Sequence, residues 1–145
     1  FAEAAHKPSL HLLKPFTADR LAARPGSKVY GVPSVKAAWY ADTARIATVP
    51  PKVFWPVPNV DSGLVRIERR DPPKTEASRE ATFRVIDAAF GQRRKMLRAA
   101  LSPLFGSAAA ASDAIERAGH DPQARGETLD VAAFAAVAAQ LPPGR

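Results

Sequence analysis

The chain has 145 residues, 46% of them hydrophobic, so there is enough apolar material for one ordinary domain or for a small domain with part of another. It carries 21 basic against 14 acidic residues, a net charge of +7, which favours polyanionic partners, nucleic acid ahead of anionic membrane. Cysteine is absent, which excludes disulfides, zinc–thiolate sites and cysteine nucleophiles, and His6, His11 and His120 lack the i, i+4 spacing of a helical metal pair. No apolar run is long enough to cross a bilayer and no basic-then-apolar signal opens the chain, so a cytoplasmic protein that needs neither membrane nor metal is expected.

In residues 1–16, Pro8 and Pro15 cut the segment short, and "SLHLL" fits either a strand or one helical turn. Thr17 is expected to cap a helix through Ala23, closed by the Pro-Gly turn of "RPGSK". Ser34 is the expected N-cap of a second helix, with Val35, Ala38 and Trp39 at helical spacing. "ARIATVP" reads as a strand ending at Pro50. "GLVRIERR" alternates Leu64, Arg66 and Glu68 against Val65, Ile67 and Arg69, which predicts a second strand near a sheet edge.

The proline-rich "RDPPKTEAS" marks a domain boundary. Beyond it, Phe83, Ile86 and Phe90 predict one helix, and Leu97, Ala100, Leu101 and Leu104 a second, with Gly91 between them and Gly106 as the stop. Ser107 and Gly119 bracket a third helix. Asp130 caps a fourth, ended by Pro142. The expected organisation is an α/β head over 1–70, with two strands and two short helices, followed by a small all-α domain over 71–145.

Two segments stand out chemically. "GQRRKMLRAAL" carries Arg93, Arg94, Lys95 and Arg98, with no acidic residue between Asp87 and Asp113. On a helix, Arg94, Lys95 and Arg98 fall within a sector of about 100°, opposite the leucines, while Arg93 falls among the apolar positions. Such a ridge suits phosphate oxygens. The same pattern fits a solvated face, and charge alone does not choose. In "VFWPVPNVDSG", Pro56 and Pro58 stiffen a loop that carries Phe54 and Trp55. A braced ring can stack a nucleobase drawn out of its helix, or plug a strand connection, and at least one of the two rings is expected in packing.

"VPPKVFWPVPNVDSGLVRI" together with "AAFGQRRKMLRAAL" resembles the ribosomal RNA adenine N6,N6-dimethyltransferases, and "ADRLAARPGSKVYGVPSV" and "GHDPQARGETLDVAAFAAVA" resemble their bacterial small-subunit (KsgA-like) branch. The resemblance covers residues 17–141. It implies that the head is the C-terminal end of a Rossmann-like S-adenosylmethionine methyltransferase domain, with a helical domain behind it. It implies dimethylation of two adjacent adenosines in small-subunit rRNA, with the immature small subunit as partner and a monomeric enzyme. Phe54 would then stack the target adenine in loop 50–62, braced by Pro56 and Pro58, with Ser62 structural. Gln92, Arg93, Arg94 and Lys95, with Arg98 nearby, would face rRNA or act as a strut of the helical domain.

The family's Gly-rich cofactor turn and its Asn-Leu-Pro-Tyr segment have no counterpart here, and the eight glycines form no G-x-G. The expectation is therefore a C-terminal portion that holds no S-adenosylmethionine and does not methylate by itself. A non-catalytic rRNA-binding or ribosome-assembly module and a non-functional fragment are the other readings.

Overall fold

In the computed structural model, residues 8–53, 55 and 61–142 are described. They fall into two units, one from the described residues of Phe1–Arg24 and Lys28–Pro72, the other from those of Pro25–Ser27 and Pro73–Arg145.

The first unit contains three strands where the sequence suggested two. "SLHLL" is extended, as β1 (Pro8–Leu13). Helices α1 (Pro15–Leu21) and α2 (Val32–Tyr40) follow, then β2 (Ala41–Val49) and β3 (Ser62–Arg69). The sheet order is β1-β3-β2 and both pairings are antiparallel. The expectation that "GLVRIERR" lies near an edge is thus corrected: β3 is the central strand, because β1 takes up its second side. Its alternation still has a cause, since Gly63 and Val65 are buried while Arg66 is exposed.

Both helix starts differ from expectation. α1 begins at Pro15, which supplies a preset φ and needs no amide partner, so Thr17 is inside the helix and not its cap. Gly31 is the N-cap of α2, and Ser34 sits a turn further in, accepting the Gly31 N–H at 3.1 Å. The Ser34 hydroxyl also donates to the Arg20 carbonyl, fastening α2 to the end of α1. α1 meets the sheet at Ala18, fully buried, whose methyl would lie 2.5 Å from a Cβ placed on Gly63. Only glycine allows that approach. The Arg70 guanidinium closes the far end by donating to the Ala38 carbonyl at 3.2 and 2.7 Å.

The second unit is helical: α3 (Arg79–Gly91), α4 (Leu97–Ala100), α5 (Ser102–Phe105), α6 (Ala108–Arg117) and α7 (Val131–Ala138). Ser78, Ser107 and Asp130 cap α3, α6 and α7, accepting from Ala81, Ala110 and Ala133 amides at 3.0, 3.0 and 2.8 Å. α7 ends at Ala138, ahead of Pro142. The core gathers Val85, Ile86, Leu97, Leu101, Ile115 and Phe134, all essentially fully buried. Alanine lets the backbones close in: a Cβ on Gly126 would stand 2.9 Å from that of Ala89.

The helix expected between Gly91 and Gly106 is shorter and divided. Pro103 has no N–H to give the Ala99 carbonyl, which accepts the Ser102 hydroxyl instead at 3.0 Å, and Leu101 (φ −91°, ψ −3°) separates α4 from α5.

Candidate nucleic-acid interface

β2 and β3 form an antiparallel pair whose last partners are Val49 and Ser62. The connection across residues 50–61 is far longer than the about two to five residues a hairpin needs, which is the usual mark of a working loop. It opens with a 3₁₀ turn, Pro51–Val53, closed by a Val53 N–H to Pro50 carbonyl bond of 3.2 Å. Phe54, Pro56 and Pro58 lie outside the described residues. Trp55 is described and stands 93% exposed, so the packed ring expected in this loop is not the tryptophan. Val53, at 64%, is exposed beside it.

The base of the hairpin is braced by a residue that the sequence did not single out. The Arg45 guanidinium contacts the Asp19 carboxylate of α1 and donates to Thr48 Oγ1 at 2.7 Å. The strand register shifts between Arg45 and Ala47, a bulge that re-aims the chain just before the loop. Opposite charges at positions 19 and 45 were the only signal, and one pair so far apart in sequence does not announce itself. Ser62, half-buried at the start of β3, has a place in the ladder, consistent with a structural role.

The basic segment lies in the second unit, and it is a turn. α3 ends at Gly91, Lys95 N–H closes back on the Gln92 carbonyl at 3.0 Å, and Met96 is extended (φ −60°, ψ 150°). Arg93, Arg94 and Lys95 therefore precede α4, Arg98 alone is within it, and the wheel that put three cations in one sector does not apply. The turn is nonetheless anchored. Leu97 N–H donates to the Ala124 carbonyl at 2.7 Å and Arg98 N–H to Pro122 at 3.1 Å, while the Leu97 side chain is buried.

The four cations divide by partner. Arg93 donates to the Glu127 carboxylate at 3.1 Å, and its guanidinium lies 5.8 Å from the Phe90 ring centre. It ties the end of α3 to the Gly126–Thr128 turn, which makes it a strut. Arg94 and Lys95 are exposed and Arg98 is half-buried. None of these three side chains bonds or pairs with another described residue, so their charge is available to an anion. No group of three His, Cys, Asp or Glu that could hold a metal occurs among the described residues, and no helix there is long and apolar enough to cross a membrane.

The α/β unit thus offers a long hairpin connection with an exposed ring, and the helical unit an anchored basic turn. Comparison with known proteins places these parts in a family. Residues 3–138 match the family model described as "Ribosomal RNA adenine dimethylase", and the chain belongs to that family. The protein named "Ribosomal RNA small subunit methyltransferase A" from Kineococcus radiotolerans is 61% identical over 127 residues, covering 88% of this chain and 42% of that protein. Its namesake from Thermobifida fusca is 62% identical over 125 residues, covering 86% and 44%. The chain thus spans less than half the length of these relatives. Among solved structures, a dimethyladenosine transferase from Plasmodium falciparum superposes with a TM-score of 0.72 at 17% identity, over 90% of this chain and 55% of that one. The 23S rRNA methyltransferase ErmE superposes with a TM-score of 0.67 at 18% identity, over 93% and 55%. These two likenesses show the fold.

Proposed function

We propose that the chain is the C-terminal portion of an S-adenosylmethionine-dependent small-subunit rRNA adenine N6,N6-dimethyltransferase. Residues 1–70 would be the end of its Rossmann-like domain with the target-adenine loop at 50–62, and residues 71–145 its rRNA-binding domain. The observation that carries this reading is the family match over 3–138 together with a chain that spans only 42–44% of its relatives.

The chemistry required explains the parts. The exocyclic amine of adenine is a weak nucleophile, because its lone pair is delocalised into the ring. Catalysis rests on holding that amine in line with an electrophilic methyl, which S-adenosylmethionine supplies when bound. Phe54 stacks the extruded adenine and fixes its plane, with Pro56 and Pro58 limiting the loop's freedom. Arg94, Lys95 and Arg98 hold the strand through its phosphates, and Arg93 keeps the basic turn in place.

Among the described residues, no strand is followed by a Gly-rich turn that could cradle a cofactor. The left-handed glycines, Gly26, Gly106 and Gly119, close turns and helix ends, and Gly63 and Gly126 seat close packing contacts. β1 runs into α1 through Lys14 and Pro15, without a glycine. The inferred activity of the chain by itself is RNA binding without methyl transfer, which is also what a non-catalytic assembly module would do.

The test is incubation with labelled S-adenosylmethionine and immature small subunits, in parallel with a salt titration of rRNA binding. Salt-dependent binding without label transfer is expected. Transfer of label would refute the inactivity, and the absence of rRNA binding would refute the interface.

A further inference from the structure

Trp55 is the most exposed large apolar side chain described, and the reading just given assigns it nothing. A tryptophan left 93% in water forfeits nearly all the stabilisation its ring would gain by burial. It directly follows a position assigned to a base-stacking phenylalanine, in a loop whose root is braced by Arg45 on Asp19 and Thr48. The segment that carries it has charge of one sign: no carboxylate occurs between Asp42 and Asp61, and Lys52, exposed, is the one cation of residues 50–60. An exposed indole face three residues from Lys52, in a stretch with no acid from 43 to 60, is suited to a flat ring on an anionic chain. An unpaired nucleobase is such a ring.

We propose that Trp55 is a second stacking platform, which takes an unpaired base of the RNA strand other than the methylated adenine and does so whatever that base is. The inference rests on the RNA-binding reading above and deepens it. Stacking is tolerant of sequence because every base presents a π-face. Trp55 would therefore strengthen binding and position the strand, while Phe54 selects the base to be modified.

The test uses the 145-residue chain with two strands of equal length and charge, single-stranded oligoadenylate and its abasic ribose-phosphate counterpart. Trp39, 6% exposed, and Trp55 are the two tryptophans, so W55F identifies the water-exposed emission. Oligoadenylate should quench that emission and the abasic strand should leave it nearly unchanged. W55A should bind oligoadenylate between about 5-fold and about 150-fold more weakly, bind the abasic strand as wild type does, and W55F should recover most of the loss. Undiminished binding of oligoadenylate by W55A, or equal quenching by both strands, overturns the proposal while leaving RNA binding intact. Failure of the wild-type chain to bind either strand overturns both. An emission shift with rising protein concentration alone, or with anionic vesicles in place of RNA, would put a second copy or a lipid surface on the ring and overturn it too.

Discussion

Neutralising the unpaired cations together, as R94Q/K95Q/R98Q, should change the salt dependence of RNA binding by a calculable amount. Each phosphate contact on a single strand contributes about 0.7 to the slope of log affinity against log salt. Arg94, Lys95 and Arg98 have no protein partner among the described residues, so each can release one counterion, and together they account for a slope of about 2. Between 50 and 200 mM salt that is about a 20-fold difference in affinity, present in the wild-type chain and missing in the triple variant. The variant should fold normally, since Arg94 and Lys95 are exposed, Arg98 is half-buried with no side-chain partner among the described residues, and surface substitutions away from caps and cores shift stability by less than about 0.5 kcal/mol each. Arg93 supplies the contrast. Its guanidinium is committed to Glu127 at 3.1 Å and to the Phe90 ring. R93Q should therefore lower stability by about 1 kcal/mol and change the slope by less than one contact's worth. The assay is fluorescence anisotropy of a labelled single-stranded rRNA oligonucleotide at four or five potassium chloride concentrations. An unchanged slope in the triple variant would return these side chains to a solvated surface and refute the argument.

Three further outcomes follow from packing and ionisation. G63A forces a methyl against Ala18, whose Cβ stands 2.5 Å from the new atom, and should cost about 1–3 kcal/mol in chemical denaturation. G63A/A18G should recover part of that, less the penalty of glycine in α1, and a G63A chain as stable as wild type would mean the sheet yields at no cost. F134A empties a fully buried site beside Phe90, whose ring centre lies 5.9 Å away, and should cost about 3–5 kcal/mol in the same measurement. Glu80, in the first turn of α3, has its carboxyl held below the ordinary glutamate range by the hydrogen bond from its own backbone N–H and then by Arg79 at 2.9 Å. A depressed carboxyl stabilises the fold above the ordinary glutamate value and loses that contribution as pH falls through the folded value. An NMR titration should place Glu80 on the low side, and R79A should move it upward.

What the sequence disclosed, and what it hid, separates by the range of the interactions. The strands β2 and β3 were legible because alternation is written in adjacent residues, and the caps at Ser107 and Asp130 because a cap acts within one turn. β1 was ambiguous, since "SLHLL" is extended only through its pairing with β3, from Leu13 with Gly63 to Pro8 with Glu68. The same pairing moved β3 from the edge to the centre. The caps at Thr17 and Ser34 were misplaced by ranking side-chain acceptors above backbone chemistry: Pro15 starts its helix with a preset φ and no N–H to satisfy, and Ser34 accepts the Gly31 N–H from inside α2, so the helix begins before it. Of the candidate site, the side chains of Arg94, Lys95 and Arg98 have no partner among the described residues, Arg93 bonds Glu127, and the brace at Arg45 had no local pattern to announce it.

The basic segment shows most clearly why local pattern was insufficient there. From Arg94 to Leu104 the leucines repeat at helical spacing, and a helix was the natural inference. Two conditions outside that spacing overrule it. Pro103 removes a donor and breaks the run at Leu101. At the other end, Leu97 and Arg98 give their amides to the Ala124 and Pro122 carbonyls, from a loop a quarter of a hundred residues away. Those bonds satisfy donors that would otherwise have extended the helix backwards through Lys95. The result bears on function: a helix would have spread the cations along a rod, whereas a turn pinned at Leu97 and strutted by Arg93 holds Arg94 and Lys95 at one fixed place on the surface. Because the pinning is backbone to backbone, it survives substitution of the very side chains it presents. Charge on this turn can therefore be altered without altering its shape, and the salt-slope measurement isolates electrostatics for that reason.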